Sequence, residues 1–179
     1  MAEFTPERIE GPRLLLRPPV IDDAGPLFQR VARDPQVTKY LLWTPHPDVA
    51  ATQRVITERM NVDPHLRTWV IVLKHSDEIV GMLSCARPLQ YVAEIGYCIG
   101  RRWWGKGLMS EALGLLMATL SADPDVYRVW ATCHVDNERS VRLLERAGFT
   151  FEGRMARHGI YPNIGTEPLD SLLFGKAMR

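Results

Sequence analysis

Ile99-Gly100-Arg101-Arg102-Trp103-Trp104-Gly105-Lys106-Gly107-Leu108-Met109-Ser110 lies between a strand-like run, Tyr91 to Ile99, and a long apolar helical run, about Gly107 to Leu120. Backbone N–H groups at a helix start, together with the helix dipole, form an anion site. Gly105 and Gly107 let the backbone approach an anion closely. Arg101, Arg102 and Lys106 place three cations within six residues. A phosphate-bearing ligand is the natural expectation. Gly100, Gly105 and Lys106 also match the first seven positions of a Walker A loop. Its eighth position must be Ser or Thr to hold magnesium and is Gly107 here, which argues against an NTPase. The bland alternative is a solvated basic turn with two tryptophans packed on the core.

The rest of the chain frames this loop. Upstream, Arg13 to Arg17 reads as a strand stopped by Pro18-Pro19. Asp22 is the expected cap of a helix carrying Leu27, Phe28 and Val31. Pro47 and Asp48 open a second helix, about Val49 to Met60. Thr68 to Leu73, Ile79 to Ala86 (ended by Pro88) and Tyr91 to Ile99 form a meander. Downstream, Arg128 to Val135 reads as a strand. Asp136-Asn137 caps a helix carrying Val141, Leu144 and Ala147, which stops at Gly148. Phe149 to Met155 and Leu169 to Met178 close the chain as strands. The order implies one α+β domain (α/β mixed), 1–179, built on a mixed sheet with helices on it.

Composition excludes several classes. Apolar residues make up 46% and charged residues 24% of the 179 residues, as in ordinary globular proteins. The formal charge of +1 argues against a whole-surface nucleic-acid binder. The longest strand-like apolar run, Trp69 to Leu73, is too short to span a bilayer. The first six residues carry no signal-peptide pattern. Cys85, Cys98 and Cys133 sit in strand-like runs without a CxxC, which reads as reduced, buried thiols in a cytoplasmic protein and not as a metal site.

Arg102-x-x-Gly105-x-Gly107 between a strand and a helix resembles the acyl-CoA pyrophosphate loop of the GNAT acetyltransferases. Other segments agree. Ala93 to Cys98 looks like that family's fourth strand, and Gly107 to Leu113 like the start of its third helix. Cys133 to Ser140 with Leu143 to Phe149 looks like its fifth strand and fourth helix. Gly11 to Pro18 looks like the opening strand of the RimJ/RimL-like branch, the ribosomal-protein N-terminal acetyltransferases. The resemblance spans about Gly11 to Lys176.

It implies the GNAT fold: a mixed, largely antiparallel sheet of about seven strands, helices on both faces, and fourth and fifth strands splayed apart. It implies acetyl-CoA as co-substrate, with no metal. The pantetheine arm would lie in the gap, near Tyr97, Cys98 and Ile99. The pyrophosphate would meet the N–H groups of Arg102, Trp103, Trp104, Gly105, Lys106 and Gly107, reaching Leu108 and Met109. Asn137 matches a pantetheine-binding position. Arg139 and Arg142 would meet the adenosine phosphates or be solvated helix charges.

An amine acceptor is an ammonium at neutral pH and needs a base. Glu94, on the strand face of Cys98, fills that role, or is an ordinary ion-paired glutamate. The Cys98 backbone N–H would hold the oxyanion. Leu144 stands where many members carry a tyrosine as the acid toward the leaving thiolate. Ser140 matches a serine proposed for that role in the RimL-like branch, or is a helix-start serine bonded to local backbone, with Tyr97 and Tyr161 as weaker candidates. Tyr40, Trp43, Trp69, Tyr91 and Tyr161 would line the acceptor pocket. The acceptor is a protein N-terminal α-amine or a small-molecule amine. The alternative is a non-catalytic acyl-CoA-binding sensor module. A near-neutral charge also permits a homodimer.

Overall fold

The computed structural model describes residues 7–179. Eight strands form one sheet: β1 (Ile9–Glu10), β2 (Leu14–Arg17), β3 (Leu66–Leu73), β4 (Glu78–Leu89), β5 (Val92–Ile99), β6 (Arg128–His134), β7 (Thr150–Ile160) and β8 (Pro168–Ala177). Their spatial order is β1-β2-β3-β4-β5-β6-β8-β7. Every neighbouring pair is antiparallel except β5 and β6. The eighth strand, beyond the seven expected, is the two-residue β1, so the strand that the resemblance numbers fourth is β5.

The apolar run in β3 explains the layering. Trp69 and Ile71 belong to one core, and Val70 and Val72 to another. A strand whose two alternating faces are both apolar must be covered on both sides. One cover is α4 (Leu108–Ala122) with α5 (Glu138–Arg146). The other is α1 (Ala24–Leu27, continued by a π-turn over Phe28–Ala32), α2 (Pro35–Thr38) and α3 (Val49–Glu58). Helix α4 buries a broad face from Leu108 to Leu120, and only the small residues Ser110, Gly114, Ala118, Ser121 and Ala122 are exposed along it.

Two local expectations are corrected and a third is narrowed. Asp22 does not cap α1; Asp23 instead turns inward, where its carboxylate accepts from both Arg17 guanidinium nitrogens at 2.7 and 2.8 Å. Pro88 does not end its strand, because β4 carries it at a register shift between Ala86 and Leu89, where the missing N–H leaves no ladder bond unmade. The cap of α5 is Asn137 rather than Asp136, with Asn137 Oδ1 accepting from the Ser140 N–H at 3.3 Å. Asp34 and Asp48 cap α2 and α3 through the N–H groups of Gln36 and Ala51, at 2.9 and 2.7 Å. Among the described residues, no helix is long and apolar enough to cross a membrane.

Candidate active site

Strands β5 and β6 pair only at Val92–Arg128, Ala93–Val129 and Glu94–Trp130. Beyond Glu94 they diverge and a gap opens. The ladder on the other side of β5 decides which backbone groups face it. The Gly100 N–H donates to the Val80 carbonyl at 2.8 Å. The same register continues through Gly81–Ile99, Met82–Cys98 and Leu83–Tyr97. Hydrogen-bonded and open pairs alternate along an antiparallel ladder. Cys98 therefore exchanges its backbone bonds with Met82, while the amides of Tyr97 and Ile99 turn toward the gap. This corrects the expected oxyanion donor: the Cys98 N–H is taken by β4. The Ile99 carbonyl, on the gap side, accepts from Trp104 Nε1 at 2.8 Å.

The loop after β5 makes one 3₁₀ turn, Arg101–Trp103, and buries Trp103 in the core. Gly105 and Gly107 adopt φ of +74° and +72°, a region open to glycine at low cost. The first backbone bond of α4 runs from the Glu111 N–H to the Gly107 carbonyl, 3.1 Å. The amides of Leu108, Met109 and Ser110 therefore have no partner in the helical ladder. The carbonyl side of the loop is held by Arg13, whose guanidinium donates to the carbonyls of Lys106 and Gly107 at 3.2 and 3.3 Å. Arg13 is itself fixed by Glu111, through Nε at 2.6 Å and its own N–H at 2.9 Å. Sequence reading missed this anchor, since its partner lies 98 residues away.

A cleft runs along the gap past Trp104, Gly105, Gly107 and Met109. The side chains of Arg102 and Lys106 do not line it. Arg102 turns instead to Glu78, at 3.5 Å, and lies over the Trp103 ring. The cations on the cleft wall are Arg139, Arg142 and Arg146 of α5, with Lys39 at the end of α2. Arg139 stacks on the Trp104 indole, 3.9 Å from its centroid, and Arg142 pairs with Glu138 at 3.0 Å.

Where the gap meets α5, the Tyr97 hydroxyl and Ser140 Oγ are 2.6 Å apart. Burial raises the Tyr97 pKa, partly offset by this bond, so the phenol stays neutral. Asn137 lines the same junction with its Oδ1 given to the cap. Burial pushes the Cys98 thiol up to about 12 and raises Cys133, so both remain thiols at neutral pH.

A second cleft, of about 590 Å³, is lined by the segment after α2 (Tyr40 to Trp43) and by Arg59 and Met60 after α3. Tyr40, Trp43 and Tyr161 line it as expected, with His134 stacked on Tyr40 at 5.0 Å and edge-on to Tyr161 at 4.7 Å. Trp69 and Tyr91 do not. The first is 1% exposed in the core and the second stands in solvent at 53%. Glu94 lines this cleft. Desolvation raises its pKa, and the nearby His158 partly opposes the rise. The two clefts share Tyr40, Leu41, Tyr97, Cys98, Asn137 and Ser140.

The acetyltransferase (GNAT) domain family matches residues 13–150. A relative named "Uncharacterized N-acetyltransferase p20", from Bacillus licheniformis, is 33% identical over 151 residues, 82% of this chain and 84% of its own length. The ribosomal-protein-serine acetyltransferase of Escherichia coli is 30% identical over 132 residues, 72% of this chain and 74% of its own. Among solved structures, RimL, a ribosomal L7/L12 alpha-N-protein acetyltransferase in complex with coenzyme A, superimposes with a TM-score of 0.83 at 24% identity, covering 96% of this chain and 98% of that one.

Proposed function

The chain belongs to the acetyltransferase (GNAT) domain family, and on that premise we propose that it moves an acetyl group from acetyl-CoA to a primary amine by direct attack in a ternary complex. One observation carries this reading: two clefts flank the β5–β6 gap and meet at Tyr97, Cys98, Asn137 and Ser140. A donor in one and an acceptor in the other would touch at that junction.

The donor side fits a nucleotide thioester. The unpartnered amides at the start of α4 suit a pyrophosphate. The gap-facing amides of Tyr97 and Ile99 suit strand-like bonds to a pantetheine arm and a hydrogen bond to the developing oxyanion. Arg139, Arg142 and Arg146 suit the remaining phosphate charge.

On the acceptor side, Glu94 takes a proton from the ammonium. The free amine then attacks the thioester carbon, forming C–N and releasing the thiolate. Ser140, oriented by Tyr97, passes its proton to the leaving sulfur as the C–S bond breaks and recovers one from the acylated nitrogen, which becomes the neutral amide. A covalent acyl-cysteine route is disfavoured, because the Cys98 thiol stays protonated at neutral pH.

The acceptor is a protein N-terminal α-amine or a small-molecule amine. The relatives named for ribosomal proteins support the former, as does the exposure of Leu42 and Ile160 at the cleft. Buried free thiols at Cys85, Cys98 and Cys133 accord with work in the cytoplasm. The test pairs calorimetric titration with acetyl-CoA and a thiol-release assay over peptides with free N-termini, amino acids and polyamines. Saturable binding with thiol release supports the transferase. Binding without release from any amine assigns the fold to an acyl-CoA sensor.

A further inference from the structure

Strand β7 is distorted beside the acceptor cleft. Met155 pairs with Ser171 and Gly159 with Leu169, so Ala156, Arg157 and His158 together oppose the single residue Asp170. Arg157 adopts φ of +52°, costly for a side chain of its kind. Asp170 holds the distortion, its carboxylate accepting from the Arg157 N–H at 2.9 Å and from Arg154 Nε at 2.6 Å. Such bulges re-aim side chains next to active sites. Here the residue re-aimed is His158, which lines the cleft that holds Glu94.

The ring is also fixed. His158 Nδ1 lies 3.1 Å from Ser171 Oγ, and that oxygen lies 2.6 Å from the Tyr161 hydroxyl. Ser171 is fully buried and Tyr161 nearly so, so this hydroxyl pair is a rigid support. A serine oxygen can accept Nδ1–H from either the neutral or the cationic ring, which leaves Nε2 free to gain and lose a proton.

We propose that His158 carries the amine proton from Glu94 to water. This rests on the transferase reading. An ammonium brings three N–H protons; one stays on the amide, one ends on the coenzyme A thiol, and one must leave the site. Glu94 is half-buried, and desolvation raises its pKa, so it holds the proton it takes more tightly than a free carboxylate and needs a partner to be reset. His158, exposed at one side and facing the cleft at the other, provides that exit. The groups around it are Glu94 of β5, Cys133 of β6, Asp170 and Ser171 of β8, Tyr161 after β7, and Arg59 after α3, which lines the same cleft. Acting through Glu94, His158 is a positioning and relay residue.

The test compares wild-type protein with His158→Asn and His158→Ala, using an amine that wild type acetylates. The expected result is a kcat lower by on the order of 100-fold with acetyl-CoA affinity within twofold, loss of the histidine limb of the pH profile, and rescue of His158→Ala by added imidazole. Unchanged kcat and pH profile overturn the relay. So does a loss that imidazole leaves unrescued in a variant that binds acetyl-CoA normally. If His158→Ala fails to fold, the pH profile of His158→Asn decides alone. Wild-type protein that binds acetyl-CoA and releases no thiol with any amine overturns the transferase reading itself. Turnover that is indifferent to His158 overturns only the relay.

Discussion

The Tyr97 hydroxyl sits 2.6 Å from Ser140 Oγ, joining the splayed strand β5 to the first turn of α5. Their separation of 43 residues hides the pair from any local motif. The bond fixes the serine hydroxyl at the junction of the two clefts, where a thiolate leaving group would need a proton. Ser140→Ala is expected to lower kcat about 100-fold, as for loss of a positioned acid, with little change in acetyl-CoA affinity. Tyr97→Phe is expected to cost less, and the double variant no more than Ser140→Ala, because the tyrosine acts through the serine. Additive losses in steady-state kinetics would give Tyr97 an independent role.

Glu94 offers a prediction in which activity and stability move apart. Its folded pKa is raised by desolvation, so the folded protein binds its proton more tightly than the unfolded chain does. The stabilising contribution is present below the unfolded value and is lost as pH rises through the folded one. Glu94→Gln is therefore expected to cut turnover by about 100-fold. Its thermal midpoint at pH 7 to 8 should equal or exceed that of wild type. A lower midpoint in pH-resolved melting would show that the carboxylate is structurally paired.

Arg13 touches the loop between β5 and α4 only from behind, through the carbonyls of Lys106 and Gly107. Arg13→Ala should nonetheless weaken acetyl-CoA binding about fivefold, near 1 kcal/mol, because the amide face of the loop is set by the carbonyl face. Glu111→Ala should do the same, and a double-variant cycle should show the two coupled. Titration calorimetry on the three variants checks this.

The loop glycines separate backbone strain from crowding. A Cβ at Gly105 would meet nothing within 4 Å, and at Gly107 only Arg13, at 3.7 Å. Both have positive φ, so Gly105→Ala and Gly107→Ala should each cost about 1 kcal/mol of stability from conformation alone. Gly107→Ala should also weaken acetyl-CoA binding, since it disturbs the start of α4. Chemical denaturation and titration together distinguish the two effects.

Much of this site was legible in residue order because its signals are local. The glycines at 105 and 107, the buried run of α4 and the strand carrying Glu94 and Cys98 each report on a few consecutive residues. Side-chain direction is not local. Arg102 and Lys106 looked like phosphate ligands by spacing, yet Arg102 turns to Glu78, and the cleft's cations are three arginines of α5 and Lys39. Asn137 and Asp136 both suit a cap by composition, and the path of the chain out of β6 selects Asn137.

The sequence by itself determined most of the order of elements, the apolar run of β3, the loop chemistry and the family resemblance, since periodicity, glycine placement and breakers act over a few residues. Only the tertiary structure decided what faces what. It set the register that gives Cys98's amide to β4 and leaves those of Tyr97 and Ile99 for the gap. It also set the Arg13–Glu111 brace, and the bulge that carries His158 to the cleft of Glu94. These depend on pairings between distant strands, where a one-residue slip reverses every side chain and every amide.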